Sequence, residues 1–236
     1  KVVKKLDHII TVSEQSRQDI AVAFNRPAKK IDLMYNGIDT DIFTPLATVK
    51  REQQLLITTA SADQPLKGLR YLLEALALLR PNFPELKLLI IGKLKAGGHT
   101  EKRLQRLDLM SAVEFVSGIS TEKLVEQYNR ATIAISPSLY EGFGLPAGEA
   151  MACETPVISS NGGALPEVVG DAGLVVDAAD DVALANAIEL LLNDPEKRKA
   201  LGRAGRSRIV EKFSWTVKAH RLSHYYNKIL KAHARP

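Results

Sequence analysis

Glu141 and Glu149 stand eight residues apart in SPSLYEGFGLPAGEAMA, residues 136–152, on either side of a Gly-Phe-Gly turn that runs into a helix-forming stretch. Gly144 would let backbone approach a ligand, and the amides of Phe143, Gly144 and Leu145 would lie unpaired at the start of the helix. Unpaired amides and the positive end of a helix dipole attract anions. Lys67, closing ADQPLK, is a point charge at a neighbouring strand end, in position to face the same anion. Glu149, inside a helix that begins near Gly144, can offer two acceptor oxygens to the vicinal hydroxyls of a ribose. A hydrogen bond to a charged group contributes about 1.5–3 kcal/mol, enough for one contact to decide affinity. Glu141, just before the turn, would sit beside whatever the anion carries. Taken singly, each feature also reads as plain structure: a tight turn, a solvated lysine, a chance spacing. Together they describe a sugar nucleotide, with ribose at Glu149, diphosphate at the turn and Lys67, and hexose near Glu141.

Such a site needs strand ends and helix starts brought to one place. From residue 55 the chain alternates short β-branched or leucine-rich runs with amphipathic stretches: LLITTA then KGLRYLLEALALLR, KLLIIG then TEKRLQRLDL, VEFVSG then STEKLVEQYNRA, IAISPS then GLPAGEAMAC, with PVISS and GLVVD following. That rhythm predicts an α/β fold, a Rossmann-like parallel sheet with helices on both faces. Leu69, Leu72, Leu76 and Leu79 recur on one helix face, as a helix covering a sheet requires. Asp194 before Pro195 reads as an N-cap, and Ser214 as the cap of a last helix. Residues 1–48 differ. HIITVSE, SRQDIAVAF and KIDLMYNGID give strand, helix and strand, then a turn-rich linker. One such unit cannot bury both its faces, so it either packs on the following domain or is the tail of a domain whose beginning is absent.

Composition is that of an ordinary soluble protein, 45% apolar and 25% charged, and no apolar run reaches spanning length. No secretory or lipidation signal is visible. The chain opens on Lys1, and the expectation is a processed chain or a fragment. The net charge of +5 permits an anionic partner, but much of the excess lies in PEKRKALGRAGRSRIVEKF, which reads as a solvated helix face. Without aromatic interleaving it does not indicate nucleic acid. The single cysteine, Cys153, reads as a small buried residue at a helix end. His8 and His99 stand at no metal-ligand spacing. GKLKAGGH and SNGGALPE fit neither a dinucleotide fingerprint nor a phosphate-binding P-loop and read as loops.

In combination, PSLYEGFGLPAGEAMACETPVISSNGGALPEVVGDAGLVVDAAD resembles the donor-binding segment of GT-B glycosyltransferases, above all the retaining group called family four, with its E-x7-E motif at Glu141 and Glu149. PLKGLRYLLEALALL, VEFVSGISTEKLVEQYNRATIAISPS, HIITVSEQSRQDI and MYNGIDTDIFTP extend the resemblance over nearly the whole chain. It implies the C-terminal half of a GT-B fold: residues 1–48 as the remnant of an N-terminal acceptor domain plus linker, 49–213 as the nucleotide-sugar domain, and 214–236 as a helix crossing back. It also implies that Glu149 holds the ribose, that Glu141 touches donor-sugar hydroxyls, and that Gly142, Phe143, Gly144 and Leu145 contact sugar and phosphate. Lys67 then neutralises the diphosphate, and Gly118, Ile119 and Ser120 lie beside the base. The partners implied are a UDP- or GDP-linked sugar, a saccharide or lipid-linked acceptor and the missing domain, in the cytoplasm or at the inner face of a membrane.

The residues also depart from the family's pattern. Where the family commonly carries an arginine six residues before the lysine, this chain has Ser61. Losing one preorganised donor to developing charge costs about 2.7–4 kcal/mol, so Ser61 must be compensated, with Arg70 one turn beyond Lys67 as a candidate, or turnover is slow. No Asp-x-Asp metal site is read, so the expectation is chemistry without a metal or cofactor, Lys67 and the turn amides stabilising the leaving diphosphate. The rival readings are a non-catalytic nucleotide-sugar-binding module and a GT-B-like epimerase or phosphorylase.

Overall fold

The structure, a computed structural model, describes residues 3–60 and 63–233. Two short parallel strands, β1 (Ile10–Thr11) and β2 (Asp32–Leu33), flank helix α1 (Glu14–Phe24). Ser13, placed at the end of a strand in the sequence reading, instead caps α1, its hydroxyl accepting from the Ser16 amide. A polar residue that can take over an orphan amide starts the helix two residues early.

The main sheet has six strands, all parallel: β3 (Leu55–Thr59), β4 (Lys87–Ile91), β5 (Val113–Val116), β6 (Ile133–Ser136), β7 (Val157–Ser160) and β8 (Leu174–Val176), in the order β5-β4-β3-β6-β7-β8. The connecting helices are α2 (Leu69–Leu79), α3 (His99–Arg106), α4 (Thr121–Arg130), α5 (Leu145–Ala152), α6 (Leu165–Val169) and α7 (Asp181–Asn193). Two long helices, α8 (Pro195–Phe213) and α9 (Trp215–His233), close the chain. Asp194 caps α8, accepting from the Lys197 amide at 2.9 Å, and Ser214 accepts from Val217 at the start of α9. The expected fold class is the observed one. Helix α7 and the short α6 were not read from the sequence.

Period-two alternation sorts the strand side chains onto two faces. Leu56, Leu88, Ile90, Ile133, Ile135 and Ile158 pack with α2, α3 and α7, where Leu69, Leu72, Leu76 and Leu79 are all buried as their spacing predicted. Leu55, Ile57, Leu89 and Val157 face α4, α5, α6 and α8. Helix α5 is enclosed by the sheet, α8 and the segment after β2, which explains its small residues: a Cβ at Gly148 would lie 2.2 Å from Ile38 and 3.5 Å from Ile209 of α8. Within it Glu149 is the one ionisable side chain.

The basic run in α8 does not form a merely solvated face. Arg206 donates to the carbonyls of Thr40 (2.9 Å), Phe43 (2.7 Å) and Ala152 (3.0 Å), tying the linker to the end of α5. Arg208 holds the carbonyls of Glu167 and Val168 at 2.9 and 2.8 Å. Long side chains carry their charge across the surface to orphan carbonyls at helix ends. Among the described residues no helix is long and apolar enough to cross a membrane.

Candidate active site

The order of the sheet fixes where a ligand can sit. The chain runs outward from β3 through β4 to β5, then returns to the other side of β3 as β6. At that switch the loops leaving β3 and β6 diverge to opposite directions and open a crevice beyond the strand ends. Lys67 follows β3 and Glu141 follows β6. The structure joins them: Lys67 Nζ lies 3.0 Å from both Oε1 and Oε2 of Glu141. Their side chains keep 32% and 15% of their accessible surface, so the pair is partly buried and still faces solvent. A backbone bond from the Leu139 amide to the Leu66 carbonyl, 2.8 Å, fastens the two loops beside the pair.

Beyond Glu141 the turn develops as its glycines suggest. Gly144 is the N-cap of α5 with φ +103°, a conformation that disfavours any side chain, and no side chain caps the helix. Among the described residues the amides of Phe143, Gly144 and Leu145 form no hydrogen bond, leaving donors at the positive end of α5. The Phe143 ring is buried against Tyr35 and Phe213, which anchors the turn from behind. Gly142 is open on its outer side, with nothing within 4 Å of where a Cβ would be.

Glu149 projects from the second turn of α5 into a hydroxyl relay. The Tyr128 hydroxyl donates to Glu149 Oε2 at 3.2 Å and lies 3.2 Å from Thr59 Oγ1, so the threonine is left to donate to the tyrosine. Burial raises the Glu149 pKa and the tyrosine hydroxyl opposes that rise. Tyr128 is fully buried, and burial together with the Glu149 charge pushes its own pKa well up, so it remains a phenol donor. Reasoning from sequence missed this residue because, three positions after Val125, it reads as part of a core stripe. Its signal was the hydroxyl, which needs a partner once buried.

The SNGGALPE loop, read as mere connection, supports the turn. The Ala164 amide donates to the Glu141 carbonyl at 2.8 Å. At Gly163, φ +64°, a Cβ would come within 2.3 Å of the same carbonyl oxygen. The glycine lets two loop backbones touch behind Glu141. From the other side α1 closes on the turn: Ser16 Oγ is 3.5 Å from the Gly142 carbonyl, and the Tyr140 hydroxyl donates to Asp19 at 2.5 Å. Glu167 of α6 accepts from the Glu14 and Gln15 amides at 2.8 and 2.9 Å, satisfying the first turn of α1.

Residues 44–208 match the family described as glycosyl transferases group 1. The chain belongs to that family. A relative, MMP alpha-(1->4)-mannosyltransferase of Mycolicibacterium hassiacum, is 39% identical over 233 residues, 98% of this chain and 56% of its own length. The chain thus spans a little over half of that glycosyl transferase. Among solved structures, sucrose-phosphate synthase from Thermosynechococcus elongatus superposes with a TM-score of 0.85 at 31% identity, over 98% of this chain and 60% of the other. The C-terminal domain of a glycosyl transferase group 1 family protein from Francisella tularensis is matched over its entire length and 76% of this chain, with a TM-score of 0.66 at 25% identity.

The other positions read from the sequence fall around this group 1 centre with different fates. Ser61 lies outside the described residues. Gly118 and Ile119 follow the edge strand β5 at the same end of the sheet, and are not bonded to Lys67, Glu141 or Glu149. Their loop ends at Ser120, which caps α4, the helix that delivers Tyr128. Arg70 does not turn to the Lys67 pair; its guanidinium lies 4.4 Å from the centre of the Tyr71 ring. Cys153 is buried at the C-cap of α5, its thiol pushed up to about 12 by burial. One Asp-x-Asp triplet was passed over, Asp39-Thr40-Asp41. Asp39 there accepts from the Asp41 and Ile42 amides at 3.1 Å, making a turn. Among the described residues no group of three or more acidic, histidine or cysteine side chains could hold a metal ion.

Proposed function

We propose that this chain is the donor half of a retaining glycosyltransferase that moves a sugar from a UDP- or GDP-linked donor to a saccharide or lipid-linked acceptor. Residues 1–48 are the end of the acceptor domain, and activity requires the rest of that domain. The observation that carries the reading is the meeting, at the switch between β3 and β6, of the Lys67–Glu141 pair with the unbonded amides of Phe143 to Leu145.

In this reading the diphosphate lies on the α5 amides and Lys67, and the ribose hydroxyls donate to Glu149. As the anomeric bond breaks, charge gathers on the β-phosphate oxygen, where Lys67 and the amides hold it without a divalent ion. The leaving phosphate takes the acceptor's proton on the same face. Glu141 is a poor candidate for a double-displacement nucleophile, because both its oxygens already accept from Lys67. It orients the donor sugar. Gly118 and Ile119 border the base. A mannosyl donor is the first to try, since the Mycolicibacterium hassiacum relative is named a mannosyltransferase.

Calorimetry with UDP and GDP tests the donor site. The expected result is saturable binding of one of them, weakened about tenfold or more, 1.4 kcal/mol, by Glu149→Ala. Unchanged affinity would remove the ribose assignment. Transfer from labelled nucleotide sugar, with and without a complementing N-terminal domain, tests catalysis. Binding with no turnover in either case would make the chain a binding module.

A further inference from the structure

At the opposite end of the sheet, where the strands begin, lies a second cavity of about 330 Å³. Four cationic side chains line it, Arg51 from the segment before β3 and Arg198, Lys199 and Arg203 from α8, against one carboxylate, Glu154. Pro156 and Pro195 form its apolar walls. Its volume is in the range that encloses a small ligand.

The two innermost guanidiniums are held by neutral oxygens. Arg51 donates to the Ala131 carbonyl at 2.6 Å, and to Thr155 Oγ1 and the Glu154 carbonyl, each at 3.3 Å. Arg198 donates to the carbonyls of Leu191 and Leu192, the end of α7. Among the described residues neither these two nor Arg203 forms an ion pair, and Lys199 pairs only with the exposed Glu196. Burial lowers the Arg51 pKa; the Cys153 and Glu154 charges oppose that shift and the neighbouring Arg198 adds to it. Four cations gathered around a recess that holds a single carboxylate leave an excess of positive charge for structure elsewhere or a ligand to offset, and forked guanidiniums match phosphate oxygens.

We propose that this cavity is a second anion site, separate from the donor crevice, which takes the phosphate group of a small phosphorylated molecule or of a lipid headgroup. Arg51 and Arg198 form its floor, rigid because their backbone partners fix them. Lys199 and Arg203, exposed on α8, guard its mouth. The two sites lie at opposite ends of α5, which runs from the Gly144 turn to Cys153, next to Glu154. The proposal stands independently of the donor-site reading.

Phosphorus NMR titration of the chain with inorganic phosphate is the test. Saturable binding is expected, weakened about tenfold or more in the double variant Lys199→Ala/Arg203→Ala; a separate component that only Lys67→Ala removes belongs to the donor crevice. Arg198→Lys, which keeps the charge and removes the fork, is expected to weaken it as well. Sedimentation with phosphatidic acid vesicles, against phosphatidylcholine alone, identifies the source. Binding to the acidic vesicles that the double variant loses assigns the site to a headgroup; phosphate binding without vesicle binding assigns it to a soluble molecule. Absence of both, or phosphate binding lost in Lys67→Ala but kept in the double variant, overturns the proposal. UDP calorimetry on the same double variant keeps the two sites apart, because its affinity for the nucleotide is expected not to change.

Discussion

The Lys67 ammonium sits 3.0 Å from each oxygen of the Glu141 carboxylate, across 74 residues of chain. Ion pairs that still face solvent contribute about 0–1 kcal/mol to stability. A donor to charge that develops during reaction contributes far more to rate, about 2.7–4 kcal/mol. Lys67→Ala is therefore expected to change unfolding free energy by no more than about 1 kcal/mol, while lowering kcat/KM in the proposed transfer assay, run with a complementing N-terminal domain, about a hundredfold or more. Urea denaturation beside steady-state kinetics checks both halves. A large loss of stability would mark the lysine as structural.

Tyr128 holds one oxygen of Glu149 from inside the protein, and among the described residues the other accepts no hydrogen bond. Removing its hydroxyl deletes a hydrogen bond to a charged group, with an expected loss of nucleoside-diphosphate affinity of about 1.5 kcal/mol, roughly tenfold, in Tyr128→Phe. Because that hydroxyl lowers the Glu149 pKa, its loss should also move the pH below which binding fails to a higher value. A merely structural tyrosine would leave that midpoint in place.

Glu149 itself should give opposite results for binding and stability. Burial raises its pKa above the ordinary 4.5, so the folded chain holds this proton more tightly than the unfolded one. Its contribution to stability is complete below the unfolded value and is lost as pH rises through the folded value. At neutral pH the charged carboxylate costs stability, so Glu149→Gln is expected to raise Tm at pH 7 and to gain less at pH 4. Thermal melts at the two pH values decide it; equal shifts would contradict the linkage.

Gly163→Ala should disturb the site without touching a ligand. Its φ of +64° and the 2.3 Å approach to the Glu141 carbonyl leave no room for a methyl group. A loss of about 1–3 kcal/mol of stability is expected, with a weaker donor KM as Glu141 shifts. A variant with wild-type stability and kinetics would show that the two loops yield easily.

Much of this architecture is legible along the chain. Short apolar runs alternating with amphipathic ones are enough to set a parallel sheet, and a glycine turn before a helix announces free amides. What could not be read depends on neighbours far off in sequence. The Lys67–Glu141 pair requires knowing that β6 lies beside β3. Tyr128 hides in a core stripe, and Gly162 and Gly163 look like any loop until the Glu141 strand end is set against them. Helix α7, DVALANAIELLLN, is apolar on more than one side, because α2 and the sheet both cover it, and so it gives a weak periodic signal. The arginines of α8 look solvated because their acceptors are carbonyls, which no sequence pattern marks.

Helix α1 touches the turn before α5 through Ser16 and, at Tyr140, through Asp19, and is itself seated on Glu167. Rocking α1 away would strand two of its amides and release Tyr140, the residue next to Glu141. A displacement of α1 would thus arrive at the Glu141 carboxylate as a mechanical tug, like a lever whose short arm is a single peptide bond.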